Sequence, residues 1–94
     1  MWLRLGSRVE ANLLHDEPGD RALDVAFRID GMTLGTVTLA PHAWTDVSVD
    51  VPPALRGNVA RLTIAPERTW SPLDHGVKDD ARTLGVSVRK VSSA

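Results

Sequence analysis

Apolar and polar residues alternate along most of the chain, and helical periodicity is scarce. In the clearest segment every second residue is apolar: Leu23, Val25, Phe27 and Ile29. Because successive side chains of a strand point to opposite faces, this spacing predicts a half-buried strand. Similar short stretches, separated by Pro, Gly and Asp, occur on both sides of it. Together they predict about seven or eight short strands, and hence an all-β, antiparallel sandwich or barrel.

The dipeptide Asp30-Gly31 directly follows the clearest strand and predicts a hairpin. A two-residue type I′ turn needs positive φ at both positions, which Asp and Gly tolerate. This turn is expected to place Phe27 opposite Leu34 on the core face. Later apolar residues of the second strand fall out of phase, and a bulge near Gly35 would restore their alternation.

The chain has 94 residues, 43 % of them apolar, which is enough for a single domain over residues 1–94 with a thin core. The apolar stripes predict the members of that core: Leu23, Val25, Phe27, Ile29, Val47, Val49, Leu62, Ile64, Leu84, Val86 and Val88.

Composition narrows the classes of function. The absence of cysteine excludes disulfides, zinc–thiolate sites and thiol catalysis. Eleven basic and twelve acidic residues are interleaved, with a net charge of −1, which does not favour nucleic acid. No segment approaches the roughly 20 apolar residues of a membrane span. With no visible signal peptide, these features favour a cytoplasmic location.

The order of short motifs along the chain suggests a family. Trp44 leads a valine stripe that ends in Pro52, and the end of the chain carries Trp70-Ser71-Pro72 and then the segment 80–86, Asp-Ala-Arg-Thr-Leu-Gly-Val. Over nearly its whole length the chain resembles a jelly-roll-like β-sandwich domain appended to bacterial glycosyltransferases and other polysaccharide-biosynthesis proteins. The resemblance implies an accessory, non-catalytic module that binds carbohydrate.

Tryptophan is the first candidate for ligand contact. Trp2, Trp44 and Trp70 are three of only four aromatic residues. Trp44 is in phase with Asp46 and Ser48, away from the valines, and is therefore expected to be exposed as a platform for a sugar ring. Trp70 is the second candidate, and Trp2 is expected to pack at an edge. The alternative is that all three are buried, as large aromatic side chains usually are.

Asp80 and Arg82 are the second candidate for ligand contact. In an extended stretch, the side chains of residues two positions apart point to the same side. They would either line a glycan groove or tether the 66–83 loop by binding its unpaired backbone groups. The tether is the favoured hypothesis.

The remaining polar clusters do not predict a cofactor, a metal ion or an enzyme. Asp74, Asp79 and Asp80 suggest calcium, but a solvated acidic loop is favoured because no EF-hand spacing occurs. The histidines at 15, 42 and 75 lack zinc-ligand spacing and are expected to be polar surface residues. No serine has the surroundings of a nucleophile, so no catalytic triad is expected.

Two functions stay open: a carbohydrate-binding accessory module, with an oligosaccharide as partner, and a structural or protein-interaction module that packs on a neighbouring catalytic domain. They are distinguished by the surroundings of the tryptophans. A Trp44 or Trp70 exposed on a concave face beside Asp or Arg favours sugar binding, whereas burial of every tryptophan favours packing.

Overall fold

The computed structural model describes residues 1–69 and 85–94, and these form a β-sandwich of two antiparallel sheets. The strands are β1 (Trp2–Arg4), β2 (Arg8–His15), β3 (Leu23–Ile29), β4 (Met32–Leu39), β5 (Trp44–Asp50), β6 (Val59–Pro66) and β7 (Val86–Ser93), with a short 3₁₀ helix at Pro53–Leu55. One sheet has the order β1-β6-β3-β4 and the other β5-β2-β7. The all-β sandwich predicted from the alternation is therefore confirmed.

Most connections join the two sheets. Among the described strands, only β3 and β4 follow each other within one sheet. As a result β2 pairs with β5 and β7, both distant in sequence, and occupies the centre of its sheet. In the described ranges no helix is long and apolar enough to cross a membrane.

The core lies between the inner faces of the two sheets, with Phe27 fully buried. Its buried apolar members are Leu5, Val9, Ala11, Leu13, Leu23, Val25, Phe27, Ile29, Leu39, Val49, Val51, Ala60 and Leu62. Of the other predicted members, Val47, Ile64 and Val86 are partly buried against this cluster. Leu84 lies outside the described residues.

The prediction that Val88 belongs to the core is wrong, because its side chain is 45 % exposed. Val88 lies on β7 and pairs with Leu13 of β2. Strand β7 has no second neighbour among the described strands. The register also shifts beside it: Asn12 pairs with Lys90 and Leu13 with Val88, so Arg89 is an extra residue in a β-bulge. The stripe therefore continues at Val91, which packs against the core.

The predicted β3–β4 hairpin is confirmed, with one change in register. Asp30 has φ 49° and Gly31 φ 82°, as a type I′ turn requires. Phe27 pairs with Gly35 and not, as expected, with Leu34, because the bulge comes one residue earlier and Leu34 is its extra residue. A Cβ at Gly35 would lie 3.0 Å from a methyl group of Val49, so glycine lets β4 pack closely on β5.

Replacement of Phe27 by alanine is expected to destabilise the fold by about 3–5 kcal/mol, since it leaves a cavity between the sheets. The free energy of unfolding in urea measures the loss. Phe27→Leu is the control, because it keeps most of the buried volume and should lose much less. An alanine variant as stable as the wild type would contradict this placement of Phe27.

Gly31→Val is expected to destabilise the hairpin by more than about 1 kcal/mol, because a β-branched residue is strained at positive φ. Gly31→Asn is the matched control, since asparagine tolerates this region of φ and ψ. Thermal unfolding of both variants tests the prediction, which fails if the valine variant melts no lower than the asparagine variant.

Candidate functional site

A polar groove crosses the outer face of the three-stranded sheet. The central strand β2 buries alternate residues and turns the others outward, between outward residues of β5 and β7. Strand pairing aligns them in two rows, Ser48–Glu10–Ser92 and Asp46–Asn12–Lys90. These rows line an open groove of about 430 Å³.

Hydrogen bonds within the groove fix several of its side chains. The Asn12 amide donates to Asp46 Oδ1 over 2.7 Å. At one end Arg8 Nε lies 2.7 Å from Glu10 Oε1. The floor thus offers amide, carboxylate and hydroxyl groups, which can bind a ligand that both donates and accepts hydrogen bonds.

Trp44 lies on this same outer face at the start of β5 and is 39 % exposed. The prediction that it faces outward with Asp46 and Ser48 is confirmed. The guanidinium carbon of Arg89 lies 4.3 Å from the centre of the Trp44 ring, which is a cation–π contact. This contact reaches from β7 across β2 to β5, and it places an aromatic ring and a cation on the same face of the sheet as the groove.

Arg89 is the contact residue that the strand pattern missed. A signal was present: Val88 and Val91 are three residues apart, which breaks strict alternation and indicates an inserted residue between them. The sequence alone does not show that the inserted residue would meet Trp44.

The other predicted site residues, Trp70, Asp80 and Arg82, lie outside the described residues. The glycan-groove and tether hypotheses for Asp80 and Arg82 therefore stay predictions, as does the choice between calcium and solvent for the acidic loop. Within residues 1–69 and 85–94, no three His, Asp or Glu side chains form a group that could hold a metal ion.

Trp2 lies on the edge strand β1 of the other sheet. Its side chain is 72 % exposed, where the sequence suggested that it would pack at an edge. Met1 and Val59 are also exposed there. The two described tryptophans thus belong to opposite sheets of the sandwich.

An ion pair between Arg68 and Glu17 joins the β2–β3 connection to the chain just after β6. Arg68 Nε lies 3.0 Å from Glu17 Oε2, and both side chains are largely buried. Arg68 Nη1 also donates to the Ala22 carbonyl, over 3.1 Å. Arg68 thus joins the chain just after β6 to the β2–β3 connection.

His15 and His42 were expected to be separate polar surface residues, and this is wrong for His15. His15 is fully buried, because it shares the inner face of β2 with Leu13. Its Nε2 donates to the Arg21 carbonyl over 2.8 Å, and its own carbonyl accepts the His42 N–H. The two histidines are therefore neighbours at one end of the sandwich.

His42, which lies between β4 and β5, forms hydrogen bonds to the segment between β2 and β3. Its Nε2 lies 2.8 Å from the Gly19 carbonyl and its Nδ1 lies 3.3 Å from Asp16 Oδ1. The hydrogen bond to Gly19 raises the pKa of His42 above its usual 6.5, with Asp16 and the charge of Asp20 adding to the effect. Only the doubly protonated ring can donate to both acceptors.

Stability is expected to depend on pH through His42. Because the pKa of His42 is higher in the folded than in the unfolded protein, its protonation stabilises the fold. This stabilisation is fully present at pH values below the unfolded-state pKa and is lost as pH rises through the folded-state pKa. The stability difference between wild type and His42→Asn should be larger at pH 5.5 than at pH 8.5. Asparagine tolerates the φ of 66° at this position, so the comparison isolates titration. Urea unfolding measures the difference, and an equal difference at both pH values would contradict the stabilising effect of protonated His42.

The protein is thus a β-sandwich that carries a polar groove and an exposed tryptophan on one outer face. Comparison of the chain with protein-family models, with curated proteins and with solved structures found no match. The function is therefore inferred from the chemistry of the groove and from the resemblance noted in the sequence.

Proposed function

We propose that the protein is a non-catalytic carbohydrate-binding module that holds an oligosaccharide in the groove on the β5-β2-β7 sheet. The observation that carries the proposal is an exposed Trp44 on the same face as a groove of hydrogen-bonding side chains. A role as an accessory to bacterial glycan biosynthesis rests on the sequence resemblance alone.

The chemistry of the groove suits a sugar. Each hydroxyl of a sugar both donates and accepts, and the groove supplies the Asn12 amide with the carboxylates of Asp46 and Glu10. The C–H face of a sugar ring packs on an indole as other apolar surfaces do. The groove volume of about 430 Å³ falls within the roughly 300–1,000 Å³ typical of small-molecule sites.

Binding without catalysis is favoured by the setting of the two carboxylates. Glu10 is paired with Arg8, and Asp46 accepts a hydrogen bond from Asn12. Both lie on an open face, whereas glycoside hydrolysis uses an acid and a base that flank the scissile bond. The groove therefore fits recognition better than bond cleavage.

Titration with a panel of oligosaccharides, followed by two-dimensional ¹H–¹⁵N NMR, tests the proposal. The chain has three tryptophans and hence three indole N–H signals, which Trp→Phe variants assign. We expect the Trp44 signal and the amides of β2, β5 and β7 to shift. Trp44→Ala should weaken binding at least tenfold, or about 1.4 kcal/mol.

Trp2→Ala is the matched control, because it removes an exposed tryptophan from the opposite sheet. It should leave the affinity unchanged. Shifts confined to Trp2 and its neighbours would reject the groove as the site, and a panel without any binding sugar would reject carbohydrate binding.

A protein-interaction module is the second candidate, and exposed apolar residues on and beside the neighbouring strands β1 and β6 favour it. Trp2, Met1 and Val59 are exposed there, and tryptophan and methionine are enriched in protein interfaces. The Trp2→Ala variant also tests this function. Loss of a complex with a catalytic partner domain, with oligosaccharide binding retained, would show that the two surfaces serve separate roles.

A further inference from the structure

We infer that the groove selects acidic oligosaccharides and that Arg89 and Lys90 bind the carboxylate of a uronic acid unit. The inference deepens the proposed function and depends on it: it names the class of sugar that the same site takes. It starts from two cationic side chains on the outer face of the β5-β2-β7 sheet, Arg89 and Lys90, that no carboxylate of residues 1–69 and 85–94 neutralises.

The cations on the outer face of this sheet differ in their partners. Arg8 is paired with Glu10 at 2.7 Å. Neither Arg89 nor Lys90 forms an ion pair with a carboxylate among the described residues. Asp46, in the same row as Lys90, is instead hydrogen-bonded to Asn12. Within the part of the chain that the structure describes, two adjacent cations are thus without a carboxylate partner.

The β-bulge brings both cations to one face. In a regular strand, consecutive residues point to opposite faces. Because Arg89 is the inserted residue, it lies over Trp44 on the outer face while Lys90 lines the groove there. A regular β7 would separate the two side chains.

Stacking on Trp44 leaves Arg89 able to bind a carboxylate. The guanidinium carbon lies over the Trp44 ring. With the ring facing the guanidinium plane, the five N–H groups, which lie in that plane, point past the ring. A carboxylate can therefore approach in that plane and accept two parallel hydrogen bonds. The stacked ring also limits the rotation of Arg89, so less freedom is lost on binding.

A uronic acid matches these groups in one unit. Its carboxylate would reach Arg89 and Lys90, and its ring hydroxyls would reach Asn12 and Asp46. A neutral sugar would make the second set of contacts only. Phosphate offers similar anionic oxygens but no ring, and it serves as a probe for simple anion binding.

Calorimetric titration with trigalacturonate and with its methyl ester, both at low salt, tests the inference. The ester keeps the ring and hydroxyls but lacks the charge. We expect the acid to bind wild type at least about tenfold more tightly than the ester, as charged hydrogen bonds imply. Arg89→Gln should remove that preference and leave the affinity for the ester within about twofold of wild type.

Three further variants complete the design. Lys90→Gln should reduce the preference in part, and Arg89→Lys should restore only part of it, because lysine lacks the planar fork. Arg28→Gln, an exposed arginine on the opposite sheet, should change nothing. NMR spectra establish that each variant is folded. If the Arg89 variants do not fold, Lys90→Gln still tests the inference.

The outcomes separate the two proposals. Equal binding of acid and ester would overturn the acidic preference and leave carbohydrate binding standing. Inorganic phosphate that competes as strongly as trigalacturonate would show a general anion site and would also overturn the inference. Loss of acid binding in Arg28→Gln would place the carboxylate elsewhere. If neither trisaccharide binds while neutral sugars of the panel do, the inference of a uronic acid ligand is rejected and the proposal of carbohydrate binding stands.

Discussion

The alternation of β2 is the constraint on which the rest of the structure depends. Its residues Val9, Ala11 and Leu13 are buried between the sheets, so Glu10 and Asn12 must face outward. Because β2 pairs on both sides, its register also fixes which residues of β5 and β7 stand beside them. A slip of one residue would bury the polar set and expose the apolar one. Core packing thus determines the composition of the groove.

The contact between Arg89 and Trp44 is small in energy compared with that core. An exposed cation–π contact contributes about 0.5–1 kcal/mol, whereas a single buried aromatic such as Phe27 contributes several times as much. Its importance lies in position. It links β7 to β5 across β2 and keeps an aromatic ring and a cation together on the face that carries the groove.

The sequence predicts those structural features that depend on residues close together along the chain. The apolar stripe around Phe27 and the Asp30-Gly31 turn are local signals, and both strand and hairpin were found from them. The exposure of Trp44 followed from its phase along one strand. The partner predicted for Phe27 is wrong by one residue, because the pattern places the bulge near Gly35 whereas the extra residue is Leu34.

Features that depend on distant pairs could not be predicted. The alternation predicts Val88 in the core, because nothing local shows that β7 has only one neighbour among the described strands. The pair of Arg68 and Glu17 joins residues 51 positions apart, and the row of Asp46, Asn12 and Lys90 joins three separate strands. Only the assembled sheets reveal these neighbours. The roles of Trp70, Asp80 and Arg82 remain predictions from sequence.

The β-bulge at Arg89 also bears on solubility. An edge strand with an uninterrupted ladder of free backbone groups can recruit a strand from another molecule, and bulges and charged side chains prevent this. On β7 the inserted Arg89 and the adjacent Lys90 supply both protections at one point. Deletion of Arg89 would restore strict alternation from Val86 to Val91 and straighten the edge. The protein would then gain a more regular strand and, with it, a surface on which copies of itself could assemble into fibres.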